Sequence, residues 1–451
     1  MSNLGPNQKT ILARSSDLIT QTSFQNLQSY FSSSEWLDIN NRYRVDTVKN
    51  LEDDIANGTI NCSDLVEYIA ASAPLHCSDG WSFLGRALES HARGDRDCSR
   101  HFAYYAELRA AMSLLATNGI GIFDKRHIVV DSLSQCPHIN GSTHSMAWDC
   151  LEEWADLNLS SSNFLVAELI QVNGKTLNDW LSAFSPVSTP QLSNLITKKW
   201  LETWGLDLRR LGKDRDFRNE SSYRPNRLNR VPKINILTAS DFVCEFWKLY
   251  EPSGQALFDS LDKHILRLSL EMWYESASGQ KVTDDLTDFE SKIFSMLKNL
   301  GISGPLEKAF RDFLMRRNEP SDPSIIDQAR QTATATDPMH HLQVISRAAL
   351  LLRIATAACS YLIKSSNLNP YDLQFWYDEL GEERGIWESG KAPDDLIDLW
   401  EDISDSIKEI EDWKNSTSSA SVSCAKWRRE CAFPISVLGG CELIAMWGFG
   451  V

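Results

Sequence analysis

The amino-acid sequence predicts an all-α protein. Apolar residues recur at the three- and four-residue spacing of amphipathic helices over most of the 451 residues. Runs that alternate between apolar and polar residues, which are typical of half-buried strands, are scarce. The 15 tryptophans favour the same fold class, because large aromatic side chains commonly seal contacts between helices.

Nine segments carry this helical periodicity. The first, 100–117, places Phe102, Tyr105 and Met112 on one face, and Gly119 follows as a helix stop. The remaining segments, in chain order, are 145–157, 193–204, 241–250, 255–275, 286–300, 306–317, 340–364 and 394–413. Two apolar runs of four residues, 127–130 and 164–167, are too short for periodicity to separate strand from helix, and we assign both to helix or loop.

Polar segments that contain proline suggest the domain organisation. Residues 318–337 combine two prolines with small polar residues, and a third proline follows at 338, which is typical of a linker. The sequence therefore predicts an N-terminal helical and loop segment over 1–59, a helical bundle over 60–317 and the linker over 318–337. A second helical module over 338–451 is expected to end in a docked apolar tail.

Charge narrows the choice of partners. The net charge of −16 opposes indiscriminate binding to nucleic acid or to an anionic membrane. The window 198–233 is the exception, since its eleven basic and five acidic residues give +6 and leave −22 for the rest of the chain. This basic window predicts contact with RNA or DNA, with an acidic protein partner or with the acidic remainder of the chain itself.

The ten cysteines and the N-terminus indicate a cytoplasmic protein with reduced thiols. No Cys-x-x-Cys pair occurs, and the first residues lack the apolar core of a secretory signal. The most apolar stretches, 348–363 and 435–451, are each interrupted by a charged residue, so no membrane span is expected.

No familiar catalytic or cofactor motif is present. The sequence lacks a P-loop, a Gly-rich dinucleotide turn, HExxH and GxSxG, and we expect no cofactor. Cys136, His138, His144 and Cys150 offer four zinc-type ligands, but their spacing fits no familiar finger. We therefore expect no metal and interpret 141–143 as a turn that opens a helix.

Charged residues in two of the predicted helices suggest internal pairing. Arg347 and Arg353 interrupt the apolar helix 340–364, and burying them would be costly without acidic partners. The acidic residues of 394–401 are one possible set of partners. The predicted helix 394–413, which contains these acidic residues, also has apolar residues at helical spacing and is expected to dock in cis or on another protein.

Two segments resemble a known family. The first reads His-Phe-Ala-Tyr-Tyr-Ala-Glu-Leu-Arg-Ala-Ala-Met over 101–112 and continues through a Leu-Leu pair, Gly119 and His127. The second, about a hundred residues later, reads Phe-Arg-Asn-Glu-Ser-Ser-Tyr-Arg-Pro over 217–225. Together they are similar to the second helix and the last core helix of HEPN-superfamily bundles of the prokaryotic defence and toxin–antitoxin type.

The resemblance implies a HEPN-like bundle and a possible RNA-cleaving site, with one departure. Catalytic members place an Arg and, four to six residues later, a His on the last core helix. Here Arg218 is present, but Tyr223 stands where the His is expected, and a phenol with a pKa of about 10 is a poor base at neutral pH. Arg86 with His91 and Arg96 with His101 match the spacing elsewhere, but about 1.6 such matches are expected by chance.

Two functions compete, and a DNA- or RNA-binding regulator without catalysis is a third alternative. The first is a noncatalytic scaffold or sensor subunit of an anti-phage or stress defence system, which binds partner proteins, with nucleic acid as an optional second partner. The second is a metal-independent endoribonuclease toxin, for which Arg218, Tyr223, Arg96 and His101 are the catalytic candidates. The missing His favours the first, so we expect a protein that is not an enzyme. Nucleic acid or a partner is expected to contact Arg215, Arg218, Asn219, Tyr223, Arg224, Arg227 and Arg230.

Overall fold

The computed structural model describes residues 3–160, 168–185, 208–223, 234–252, 257–331, 340–417 and 422–450. Over these residues helix dominates, and the predicted all-α class is confirmed. The α-helices are α1 Pro6–Leu12, α2 Asp17–Phe31, α3 Thr47–Asn57, α4 Cys62–Ala92, α5 Arg96–Thr117, α6 Thr143–Ser160, α7 Leu177–Phe184, α8 Leu208–Tyr223, α9 Ile236–Leu249, α10 Asp259–Ser278, α11 Leu286–Asn299, α12 Gly304–Leu314, α13 Ser324–Arg330, α14 His340–Ser365, α15 Gln374–Arg384, α16 Trp400–Ser416, α17 Cys424–Glu430, α18 Ala432–Val437 and α19 Glu442–Gly450.

Five short strands accompany the helices in the described residues. Strands β1 Ile120–Gly121, β2 Arg126–Val129 and β3 His138–Asn140 form an antiparallel sheet in that order. Strands β4 Gln171–Val172 and β5 Lys175–Thr176 form a hairpin. Its turn residues, Asn173 and Gly174, have φ of 52° and 68°, as an Asn-Gly hairpin turn requires.

The assignment of 127–130 to helix or loop is wrong, because β2 occupies residues 126–129. The run of four apolar residues becomes a strand only because β1 and β3 pair with its two edges. Local periodicity carries no information about such partners. The second short run, 164–167, lies outside the described residues.

Helices α4, α5 and α14 pack together at the centre of the molecule. Alanines on α5 and α14 allow close approach, and Gly80 of α4 permits it further. A Cβ at Gly80 would lie 2.6 Å from the Leu352 side chain, so a larger residue there would have to displace that buried side chain. Buried tryptophans add hydrogen bonds between elements. Trp81 Nε1 of α4 donates to Thr356 Oγ1 of α14 at 2.8 Å, and Trp247 Nε1 of α9 donates to the carbonyl of Leu438, which follows α18, at 2.9 Å.

The longest helix, α4, is missing from the predicted segments. Pro74 lies inside it and removes one backbone donor, which sequence reasoning takes as a helix break. The helix continues through Pro74 because this residue is buried, as are Ala70, Ala73 and Cys77 on the same face. Packing therefore overrides the local preference of the proline.

The core is continuous across the predicted linker. Helix α13 lies within 318–337, and its Ile325 and Ile326 are buried. Helix α14, which the sequence places in a second module, packs along α5 of the bundle. At the C-terminus, residues 443–447 of α19 are buried, and α16 buries Ile403, Ile407 and Ile410.

The partners expected for the arginines of α14 are wrong. Arg353 forms two hydrogen bonds with Asp262 of α10, at 3.1 and 2.6 Å, and stacks on the Phe258 ring. Arg347 pairs with Asp214 of α8 at 2.5 Å and with Glu107 of α5 at 3.4 Å. The carboxylates that pair with these arginines therefore come from α5, α8 and α10, and not from residues 394–401.

Among the described helices, α14 alone is long and apolar enough to cross a membrane, and 94% of its most apolar stretch is buried within the protein. This burial is typical of the core helix of a soluble protein.

A pair of buried histidines joins α4 to the start of α14. His91 Nδ1 and His341 Nε2 lie 2.9 Å apart, so one ring donates and the other accepts. Burial, with a contribution from Arg96, lowers the pKa of His91 to about 4. Burial also lowers the pKa of His341 well below its usual value, and the neighbouring His91 adds to this effect. Both rings are therefore neutral at pH 7 in the folded protein.

This pair predicts a loss of stability on mild acidification. Because His91 has a lower pKa in the folded state than in the unfolded chain, unfolding takes up a proton as the pH falls from about 6.5 towards 4. Between pH 7.5 and 5, His91 alone should remove about 2 kcal/mol of stability. In H91N, whose amide can still bond His341, thermal melting followed by circular dichroism should show a smaller acid-induced fall. H138N, which makes the same change at a half-buried histidine, is the control. An acid-induced fall in H91N as large as that of wild type would contradict the account.

Candidate functional site

Helices α5 and α8 run antiparallel and share a ladder of side-chain contacts. Ser222 of α8 contacts His101 of α5, and one turn deeper Arg218 contacts Tyr104. At the next turn Asp214 and Glu107 share one cation, Arg347 of α14. The described residues of the two resembling segments therefore face each other, and the ladder leads from the surface at Ser222 into the core at Asp214.

Arg218 lies in the middle of this ladder, against two tyrosine rings. Its guanidinium carbon is 5.2 Å from the ring centroid of Tyr104 and 5.5 Å from that of Tyr105. Only 9% of the residue is exposed. The negative faces of the rings attract the cation, an interaction worth about 0.5–2 kcal/mol for each ring.

Arg218 differs from the other arginines that are at least nine-tenths buried. Arg267, Arg347 and Arg353 each pair with a carboxylate at 2.8 Å or less. Within the described residues no carboxylate oxygen lies within 4 Å of the Arg218 guanidinium, and its buried Nε has no acceptor. Asp214, one helical turn earlier, would be a natural partner, but Arg347 and His340 already engage it at 2.5 and 3.0 Å.

Two histidines flank the arginine and its tyrosines. His101 Nδ1 lies 3.0 Å from Ser222 Oγ, and its ring is 5.1 Å from that of Tyr105. His144 Nδ1 lies 2.9 Å from Tyr104 Oη. Burial and, second, the charge of Arg218 lower the pKa of both histidines. Both are therefore predominantly neutral at pH 7, and each offers a nitrogen that can accept a proton.

Further cations lie around this group. Arg100 Nη1 donates to Ser221 Oγ at 2.8 Å, and Arg215 Nη1 donates to Ser145 Oγ at 3.3 Å. Both are partly exposed, and each also has an acidic neighbour, Asp97 or Asp216. We use the name Arg218 cluster for Arg218, Tyr104, Tyr105, His101 and His144.

A buried ion network lies directly beneath the Arg218 cluster. Burial acts to raise the pKa of Asp214, but Arg347 and His340 outweigh it and hold that pKa below its usual value. Burial and, second, the charge of Asp214 raise the pKa of Glu107 well above normal, against the opposing effect of Arg347. The network thus contains one firmly ionised carboxylate, Asp214, which Arg347 and His340 both engage.

The remaining candidates take different positions. Tyr223 is 83% exposed at the end of α8, and Asn219 is half-buried. Arg96 is half-buried at the start of α5, where its charge acts on His91. Arg109 contacts His76 of α4 instead of the Arg218 cluster. The candidates Arg224, Arg227 and Arg230 lie outside the described residues.

The sequence pattern predicts that Arg218 meets the helix that carries Tyr104 and Tyr105, but it does not assign His144, Asp214 or Glu107 to the site. One signal was available, since Glu107 places a carboxylate on the otherwise apolar buried face of α5. His144 was considered only as a zinc ligand, beside Cys136, His138 and Cys150. Within the described residues no three His, Cys, Asp or Glu side chains are grouped as metal ligands.

Comparisons of the chain with protein-family models, with curated proteins and with solved structures find no match. The chemistry of the Arg218 cluster must therefore be inferred from its geometry. A buried cation without an anion, set between aromatic rings and neutral histidines, is suited to binding an anionic group.

The ion network predicts unequal effects of two substitutions. R347M leaves Asp214 and Glu107 buried without their cation and should lower the free energy of unfolding by about 3–5 kcal/mol. In E107Q, a neutral amide of the same shape takes the place of a carboxyl whose raised pKa favours its neutral form. This substitution should change the free energy of unfolding by less than about 1 kcal/mol. Urea denaturation measures both values. Equal losses in the two variants would show that Glu107 is as firmly ionised as Asp214.

Proposed function

We propose that this chain is a noncatalytic sensor subunit of a prokaryotic anti-phage or stress defence system, located in the cytoplasm. It binds RNA through a phosphate at Arg218 and transmits that binding to a partner protein in a multi-subunit complex. The assignment to defence rests on the resemblance of 101–112 and 217–225 to HEPN bundles. The observation that supports RNA binding is the buried guanidinium of Arg218, which lacks a carboxylate among the described residues.

A phosphate fits this position for three reasons. Its oxygens accept the charge-assisted hydrogen bonds that the guanidinium does not make within the described part of the protein. Arg100 and Arg215 add positive charge around the Arg218 cluster. Tyr223, exposed at the end of the same helix, offers a ring on which an unpaired base can stack.

The protonation states favour binding without cleavage. Metal-independent RNA cleavage requires one group to accept a proton from the 2′-hydroxyl and another to donate a proton to the leaving oxygen. His101 and His144 both have lowered pKa values and can accept a proton, but neither holds one to donate at neutral pH. Tyr223, at the position of the expected catalytic His, faces solvent.

The flanking histidines favour one second candidate, a metal-independent endoribonuclease. A bound phosphate would raise the pKa of both rings, because an adjacent negative charge stabilises imidazolium. One histidine could then act as acid while the other acts as base, with Arg218 stabilising the charge on the phosphate. This alternative requires both His101 and His144, which lie on different helices.

Binding of labelled single-stranded RNA, followed by fluorescence anisotropy, tests the first proposal. R218A should bind about tenfold more weakly than wild type at the same salt concentration, because it loses a phosphate contact. R429A removes the same charge from an exposed residue of α17 and should bind like wild type. Equal affinity of wild type and a folded R218A would contradict the proposal.

Incubation with total RNA and no added metal separates the two functions. The sensor proposal expects no cleavage by wild type, alone or with its genomic neighbours. Cleavage that disappears in H101A and in H144A, while both variants melt like wild type, would establish the endoribonuclease instead.

A further inference from the structure

A second site lies apart from the Arg218 cluster. A cleft of about 290 Å³ opens between α4, α5 and the segment that joins β1 to β2. Its lining includes Tyr68, His76, Arg109, Met112, Phe123 and Asp124. This volume is at the lower end of the range for small-molecule sites, so it suits a single small ligand better than a polymer.

One end of the cleft carries two fixed hydrogen-bond donors. Arg109 Nη1 lies 2.7 Å from His76 Nδ1. Because a guanidinium has no acceptor, this contact requires Nδ1 to be unprotonated, which places the ring proton on Nε2. Burial and the charge of Arg109 also lower the pKa of His76 to about 3, so the ring stays neutral. Within the described residues no acceptor takes the Nε2 proton.

Arg109 has an acidic neighbour, and further cations lie near that neighbour. Asp79 lies 3.6 Å from Arg109 Nη2, a distance typical of a loose ion pair, and its carboxylate is half exposed. Burial raises the pKa of the Asp79 carboxyl, and the charges of Arg109, Arg384 and Arg86 oppose that rise. A ligand phosphate can therefore bind the exposed side of the Arg109 guanidinium, while Asp79 still interacts with Arg86 and Arg384.

The walls of the cleft are aromatic and apolar. The rings of Tyr68 and Phe123 are 5.8 Å apart and inclined by 31°. A Cβ at Gly121 would lie 2.8 Å from the side chains of Ile69 and Phe123, so only glycine leaves this wall in place. The exposed Asp124 completes the rim, and its backbone carbonyl is fixed by Thr143 Oγ1 at 2.9 Å.

We propose that this cleft binds a nucleoside monophosphate. The base contacts Tyr68 and Phe123, the phosphate binds Arg109 and the Nε2 proton of His76, and Asp124 accepts a hydrogen bond from an amino group of the base. The proposal is independent of RNA binding at Arg218, because the two sites share no residue.

Isothermal titration with AMP, CMP and UMP tests the site, with adenosine and inorganic phosphate as partial ligands. Wild type should bind AMP more tightly than adenosine or phosphate, since each partial ligand loses one half of the contacts. R109M should weaken AMP binding at least about tenfold. R429M, which removes an exposed arginine that does not line the cleft, and R218A should both leave AMP binding unchanged.

A comparison of bases tests the role of Asp124. CMP carries an exocyclic amino group and UMP does not, so wild type should prefer CMP and D124N should lose this preference. Three results would overturn the proposal: no binding of any monophosphate at millimolar concentration, equal binding of AMP by wild type and R109M, or binding of inorganic phosphate as tight as that of AMP. Loss of AMP binding in R218A would place the nucleotide at the Arg218 cluster instead.

Discussion

The buried ion pair between Arg347 and Asp214 determines where α8 lies, and the candidate site depends on that position. Asp214 is 1% exposed and is held by two groups of α14, the Arg347 guanidinium and the His340 ring. Breaking such a pair leaves an uncompensated charge in the interior, which is strongly unfavourable. Helix α8 is therefore fixed against α5 and α14 at this turn, and the next turn brings Arg218 to the tyrosines of α5.

The same ion pair explains why Arg218 has no carboxylate among the described residues. Asp214 is four residues earlier on α8, the spacing at which a carboxylate usually pairs with an arginine, but α14 occupies both of its oxygens. Glu107, the other carboxylate at this depth, has a raised pKa and lies nearer to Arg347. Because α14 engages Asp214 and Arg347 is the cation nearest Glu107, the Arg218 guanidinium is left against the tyrosine rings.

The sequence predicted the parts of this arrangement that follow from periodicity, and not the parts that follow from tertiary contacts. The all-α class and most predicted helices among the described residues, such as 100–117 and 340–364, are visible in the spacing of apolar residues. The strand at 126–129 and the helix through Pro74 are not, because pairing and burial decide them. The described residues of the two resembling segments, 101–112 and 217–223, face each other, which the order of apolar residues along the chain does not encode. Whether Arg218 meets a carboxylate depends on the partners of Asp214, which no local pattern encodes.

The central claim, that Arg218 is a preformed anion site, can be tested by observing the side chain itself. In protein labelled with ¹⁵N-arginine, the Nε–H resonance that disappears in R218K identifies Arg218, and the rings of Tyr104 and Tyr105 should displace it from the usual range. Titration with a short single-stranded RNA should move this resonance, while those of Arg267 and Arg353, which already have carboxylate partners, stay in place. An Arg218 resonance that does not move while RNA binds elsewhere on the protein would contradict the account.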